Sequence, residues 1–366
     1  MMNKVNKIII ATGGTGGHVF PAYSLAKHFA SKKISVEVTS DRRGIKYLKD
    51  YTDIKKTEIE TSTLYKKNLF NSVRSLISIS ISLLKSIIFL INKKPNLVFG
   101  MGGYSSFPIC IASKIIGIPF IIYENNLHIG KANKFLLPLA KKVLVSSLDL
   151  QGINKKYTHK VCNIGNIIRQ EILDYKNSSK VHKKENKINF LVLGGSQAAK
   201  IFAEILPTIF EKCKNDGISL KVFQQCLPDQ NQSLISKYKK LNIECEVFNF
   251  TTNILTYFSK ANLAITRSGS SILAELLNVN IPFVAVPLPS SADDHQLKNA
   301  IHYEKKGYSY LIEEKNLDEK LFSLIKLIYE DSSILNKIKL KQSQYSDKKV
   351  YENIDKEIKR LIDEKN

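Results

Sequence analysis

Two glycine-rich stretches carry most of the chemistry legible in this chain. Residues 13–18 read Gly-Gly-Thr-Gly-Gly-His straight after the apolar run 8–11, and Gly194-Gly195-Ser196 comes straight after 188–193. Each stands where a buried parallel strand should hand over to a helix. There a backbone without side chains can approach a phosphate, and the helix N-terminus offers unpaired N–H groups. His18 adds a titratable group at a helix start, where the dipole disfavours an imidazolium and leaves a ring able to accept a proton. It is the candidate general base. The first loop is not a dinucleotide fingerprint, because the G-x-G-x-x-G spacing is absent and no acidic residue is read at the close of the second strand. Nor is it a Walker A loop, since no Lys-Ser/Thr pair follows.

A second cluster in the same half, Gly100-Met101-Gly102-Gly103-Tyr104-Ser105, again follows a strand and opens a helix. Gly14, Gly102, Gly103, Tyr104 and Ser105 are therefore expected around a diphosphate on the acceptor. Glu124-Asn125-Asn126 ends the next strand on that edge, and in an open α/β sheet ligands bind outside the carboxyl ends of the strands. In the second half, Thr266-Arg267-Ser268-Gly269-Ser270-Ser271 leads into a helix whose first turn is expected to carry Glu275, a carboxylate suited to two ribose hydroxyls. Gln296 and Asn299, at i and i+3, share one helix face, a spacing suited to sugar hydroxyls.

These groups need elements to hold them. Strands are expected at 7–12, 35–39, 96–100, 119–123 and 142–145, with helices at 19–32, 105–116 and 130–140. The second half repeats the alternation, with strands at 188–193, 220–223, 244–248, 263–266, 282–286 and 308–312. Its helices fall at 197–215, 232–241, 270–278, 296–306 and 317–330. Such alternation implies right-handed crossovers and an α/β fold of two parallel sheets. The polar stretch 174–187 marks the passage between the halves. Domains are expected at 1–163 and 164–344, with an amphipathic helix within 345–366 crossing back onto the first. Residues 72–92 alternate Ile and Ser, a strand period, yet Ile77, Ile81, Leu84, Ile88 and Ile91 fall at helical spacing and a crossover is needed, so a helix is expected. Its serines and Lys85 make it unlike a transmembrane span; it resembles an interfacial segment, with Arg74, Ile77, Ile81 and Lys85 as membrane contacts.

With 366 residues the chain has room for two cores. Its net charge of +22 is uneven: residues 1–163 hold 25 Lys and Arg against 8 Asp and Glu, leaving 30 against 25 for the rest. A field concentrated in one half suits an anionic surface. Nucleic acid is not expected, since no basic-aromatic pattern or known motif accompanies the charge. Five cysteines without a C-x-x-C pair argue against a disulfide framework and a zinc site. No secretory signal is expected, because 8–11 is too short and runs into glycines.

In order along the chain, GGTGGHVFPA (13–22), GMGGYSSFP (100–108), Glu124–Asn126, GNIIR (165–169), 194–197, 267–275 and HQLKNA (295–300) resemble the membrane-associated N-acetylglucosaminyltransferases of peptidoglycan synthesis, which make lipid II from lipid I. The resemblance covers essentially the whole chain. It implies the GT-B architecture, two Rossmann-like domains facing a cleft, with UDP-GlcNAc on the second and undecaprenyl-diphosphoryl-muramyl-pentapeptide on the first. By motif position, Thr15, Gly16, Gly17, Asn126, Arg169, Ser196, Thr251, Ser270, Ser271, Ile272, Leu273, Ala274, Glu275, Gln296 and Asn299 would line the donor site. An inverting transfer to the C4 hydroxyl of MurNAc, without cofactor or metal, at the cytoplasmic face of the bacterial inner membrane, is what the family implies. One departure is Gln197-Ala198-Ala199, where the family usually has a further glycine. A UDP-GlcNAc epimerase or a diacylglycerol glycosyltransferase on the same fold is the alternative.

Overall fold

The computed structural model describes residues 5–60, 69–175, 187–195 and 200–363, and for 69–76 the backbone alone. Ser196, the segment 176–186 within the expected passage and the side chain of Arg74 lie outside the described residues. The chain forms two compact units, Met1–Arg169 with Asp347–Asn366, and Gln170–Ser346.

The first unit holds β1 (Lys7–Ala11), β2 (Ser35–Ser40), β3 (Lys55–Glu58), β4 (Leu97–Gly100), β5 (Phe120–Glu124), β6 (Lys142–Val145) and β7 (Val161–Asn163). They pair in the order β3-β2-β1-β4-β5-β6-β7, parallel throughout. Ile8, Ile9 and Ile10 of β1 are fully buried. That is why a parallel strand covered on both faces reads as a continuous apolar run. Its helices are α1 (Gly16–Ser31), α2 (Arg42–Tyr47), α3 (Leu69–Lys93), α4 (Ser106–Ile115) and α5 (Lys131–Leu136). The second unit holds β8 (Lys187–Leu193), β9 (Ser219–Gln225), β10 (Glu244–Phe248), β11 (Leu263–Arg267), β12 (Phe283–Val286) and β13 (Tyr310–Leu311), in the order β10-β9-β8-β11-β12-β13. Around it run α6 (Gln170–Leu173), α7 (Lys200–Asn215), α8 (Asn231–Lys240), α9 (Leu255–Phe258), α10 (Ser270–Asn278), α11 (His295–Lys305), α12 (Leu317–Glu330) and α13 (Ser333–Gln342).

The last helix, α14 (Val350–Asp363), packs in the first unit. Asp347 Oδ1 accepts the Asn166 N–H at 2.8 Å, Tyr351 donates to the Ile168 carbonyl at 2.7 Å, and Asn353 Nδ2 donates to that of Ile164 at 3.2 Å. From β5, the Tyr123 hydroxyl accepts the Ile167 N–H at 3.0 Å. Residues 164–168 are thereby gripped on both sides. Gly165 is required there: φ is +92°, and a Cβ would lie 2.6 Å from Asp347 Oδ1.

The 25-residue α3 confirms helix over strand for 72–92, and it is apolar outward as well as inward, where Leu90 is buried and Leu83 and Ile87 pack on the core. Ser82 and Ser86 are buried, while Ile77, Ile81, Leu84, Ile88 and Ile91 are each about half exposed or more. The inward serines bond carbonyls: Ser86 Oγ donates to that of Ser82 at 2.6 Å, and Ser82 Oγ reaches both that of Ser78, at 2.8 Å, and that of Glu60 outside the helix. α3 packs along α4. Among the described residues no helix is long and apolar enough to cross a membrane.

Candidate active site

In the first sheet the order reverses between β1 and β4, so the loops that follow these two strands flank the switch point, where α/β folds place ligands. The two loops touch. A Cβ on Gly102 would lie 3.0 Å from His18 Nδ1, and one on Gly103 would lie 3.0 Å from the Gly13 carbonyl oxygen. With φ of +84° and +75°, Gly102 and Gly103 turn the backbone under the imidazole in a way other residues resist. The loop after β5 joins them, Asn125 Nδ2 donating to the Gly17 carbonyl at 2.9 Å.

His18 is the third residue of α1, and its Nδ1 is buried without a hydrogen-bond partner among the described residues. Burial pushes its pKa down from the ordinary histidine value. The charge of Glu124 and the Met101 backbone oppose this but do not overcome it. At neutral pH the ring is uncharged and able to take a proton. Glu124 itself is buried and fully engaged. It accepts the Asn126 N–H and Nδ2 at 3.1 and 3.0 Å, the Gly130 N–H at 2.9 Å and Asn133 Nδ2 at 2.9 Å. It shapes the Asn126 loop and lends a negative potential at His18.

One residue was missed in the sequence. Asp41, immediately after β2, does close the second strand with an acid, contrary to the reading above. It is buried, and its Oδ1 accepts the Gly14 N–H at 3.1 Å and the Gly44 N–H at 2.9 Å, the latter capping α2. The Ser105 hydroxyl bonds the same carboxylate. Burial pushes the Asp41 carboxyl up, but the two N–H groups, Ser105 and Arg43 outweigh that and hold it below the usual carboxylate range. Gly14 and Ser105, two of the five groups expected to cradle the acceptor diphosphate, therefore already serve an internal anion.

In the second sheet the order reverses between β8 and β11. Gly195, with φ of +75° and open space where a Cβ would stand, turns the chain out of β8. After β11, Gly269 is the N-cap of α10 and Ser270 begins it. Glu275 is the sixth residue of that helix, in its second turn rather than its first, so the dipole does not account for it. Leu273 and Ala274 are fully buried, so their side chains serve the core, whereas Ser271 and Ile272 are partly exposed. Thr251, half-buried, accepts the Asn253 N–H at 3.1 Å through its hydroxyl.

Gln296 and Asn299 do share a face of α11, but that face grips protein. Gln296 Oε1 accepts the Ser268 and Leu288 N–H groups at 3.1 and 3.0 Å, and Asn299, 1% exposed, donates to the Ser268 carbonyl at 3.2 Å. Asn299 thus braces the entry to α10. Under the same loop lies Arg267, which the sequence marked only as part of a motif. Its guanidinium sits 5.0 Å above the Phe202 ring of α7, donates to the Val286 and Pro287 carbonyls at 3.4 and 3.3 Å, and pairs with Glu314. Arg169 is partly exposed at the end of the first unit.

The glycosyltransferase family 28 N-terminal domain matches residues 8–145, and the family's C-terminal domain matches 189–356. A Pelagibacter ubique (strain HTCC1062) protein, UDP-N-acetylglucosamine--N-acetylmuramyl-(pentapeptide) pyrophosphoryl-undecaprenol N-acetylglucosamine transferase, is 35% identical over 368 residues, with 99% of this chain and 100% of its own covered. Among solved structures, Acinetobacter baumannii MurG superposes with a TM-score of 0.77 at 23% identity, covering 96% of this chain and 99% of that one. A UDP-N-acetylglucosamine 2-epimerase shares the fold at a TM-score of 0.67 and 14% identity, with 97% and 95% covered. The fold alone is thus common to more than one reaction, and sequence identity decides. The chain belongs to glycosyltransferase family 28, in the family of the pyrophosphoryl-undecaprenol N-acetylglucosamine transferases.

Proposed function

We propose that this chain transfers N-acetylglucosamine from UDP-GlcNAc to the C4 hydroxyl of MurNAc in lipid I, giving lipid II. The observation that carries the mechanism is His18, held neutral between two glycine loops at the switch point of the first sheet. His18 takes the proton of the C4 hydroxyl as that oxygen bonds the anomeric carbon. The bond from that carbon to the diphosphate breaks on the opposite face, which inverts the configuration and releases UDP. The charge growing on the diphosphate is met by the N–H groups at the start of α10 and by the Arg169 guanidinium. Gly102, Gly103 and Tyr104 cradle the acceptor's own diphosphate. Donor recognition draws on Thr15, Gly16, Gly17, Asn126, Ser196, Thr251, Ser270–Glu275 and Gln296.

Radiolabelled UDP-GlcNAc offered with a lipid I analogue should yield labelled lipid. Turnover of UDP-GlcNAc without any lipid, and no labelled lipid, would put epimerisation in its place.

The acceptor's lipid tail places the enzyme on a membrane, and α3 supplies the docking face. Beside its outward isoleucines, Ile115 on the neighbouring α4, and Phe135 and Leu139 on and just beyond α5, are exposed too. Lys85 stands among them, and Lys114, Lys141 and Lys160 are near enough for their charges to be felt together. Each apolar side chain removed from water contributes up to ~1.5–3 kcal/mol, and each lysine near an anionic surface about 1 kcal/mol. The protein is therefore expected at the cytoplasmic face of the inner membrane without spanning it. Ile81→Glu combined with Ile88→Glu should lower sedimentation with anionic vesicles at least tenfold, on the order of the two lost burials, and leave UDP binding as it was. Undiminished vesicle binding by the double variant would remove α3 as the docking face.

A further inference from the structure

Three loops of the first unit meet at one carboxylate. Asp41 Oδ1 takes the N–H of Gly14, in the loop that presents His18, and the N–H of Gly44, in the first turn of α2. The hydroxyl of Ser105, at the head of α4, bonds the same group. The fit is close: a Cβ on Gly13 would stand 2.3 Å from Ser105 Oγ and 2.9 Å from Asp41 Oδ1. Cutting this knot would free the turn 13–14 from α4 while leaving the rest of α1, with nine of its residues buried, in place.

We propose that Asp41 is a positioning residue for the transfer, fastening the His18 loop to the heads of α2 and α4 so that the imidazole stands at a fixed distance from the acceptor hydroxyl. The proposal rests on His18 being the base. Asp41 acts through the hydrogen bonds it accepts, not through its charge on the substrate, and this gives it a signature. Asparagine keeps an oxygen at the same reach. Glutamate keeps the charge and moves the oxygen by a methylene.

The test is steady-state transfer by the full chain on vesicles carrying a lipid I analogue, for Asp41→Asn, Asp41→Glu, Asp41→Ala and His18→Ala. Displacing a reacting group by about 1 Å costs up to roughly 100-fold. The expected result is a kcat about 10- to 100-fold lower for the alanine and glutamate variants, against about threefold for asparagine, with KM for UDP-GlcNAc unchanged in all three. A glutamate variant as active as asparagine, or more so, overturns the proposal, because charge would then matter and reach would not. So does an unchanged kcat in both. The Asn and Glu pair decides the matter even where the alanine variant does not fold. Full activity of His18→Ala removes the base itself; a crippled His18→Ala beside wild-type Asp41 variants removes only the role of Asp41.

Discussion

Replacing His18 by alanine is expected to reduce kcat for GlcNAc transfer by about 100-fold or more, the range a positioned general base supplies. The loss should fall on kcat with little change in KM for UDP-GlcNAc, since the residue acts on the acceptor hydroxyl. The same ring predicts the acid side of the pH profile. Burial lowers its pKa below the ordinary histidine value of about 6.5. Protonation, which disables a base, therefore sets in only below that pH. The acid limb of kcat/KM should lie under pH 6.5 in the wild type and vanish in the alanine variant. A limb above that value would mean that the Glu124 charge, not burial, governs the ring. A limb that survives in the variant would assign it to another group.

The second large effect is expected at Arg267. Its side chain is 8% exposed, and removing it strips the counter-charge from the partly exposed Glu314 and uncaps the Val286 and Pro287 carbonyls. Breaking one partner of a buried pair costs about 3–5 kcal/mol, and the partial exposure of Glu314 sets this one at the low end. For a unit of this size that corresponds to a fall in Tm of roughly 10 °C. Lysine should not restore it, because a single ammonium cannot bond both carbonyls, face Glu314 and stack on Phe202 at once. Glu314→Gln added to Arg267→Ala should recover part of the loss by removing the orphaned charge, a coupling that a double-mutant cycle would measure. UDP affinity should fall with Arg267→Ala even below the melting range, since the loop above the guanidinium carries Ser268, Gly269 and the head of α10. Unchanged UDP binding in the folded variant would confine Arg267 to stability.

Strands buried on both faces were legible because burial leaves only apolar residues: 8–11 and 188–193 could be little else. The glycine turns after β1, β4 and β8 were legible for a related reason, since a backbone that must come close to something cannot carry side chains. β3 was not, because Lys-Lys-Thr-Glu at a sheet edge is half-wet and has no apolar period. The three-residue β7 offers too short a pattern. The spacing of Gln296 and Asn299 correctly predicted a shared helix face. Periodicity says which residues face together and not toward what; here the partner was Ser268, some thirty residues back in the chain. Asp41 escaped for the same reason. After Ser40 it looks like an ordinary helix cap, which it is, and its bond to Gly14 exists only because β1 and β2 run side by side.

The outward apolar face of α3 has a consequence for anyone who handles or redesigns this protein. Its exposed isoleucines look like faults by the standard of a soluble surface. Solubility screens and surface-polishing protocols would correct them. Glutamates in place of Ile81, Leu84 and Ile88 should give a better-behaved sample, with an active site that turns over short, water-soluble acceptors as before. Such an enzyme would have lost its address: catalytically intact in the tube, it would meet a lipid-anchored substrate only by chance collision. If α3 is the docking face proposed above, good behaviour in solution and delivery to the substrate are opposed properties, set by the same few side chains.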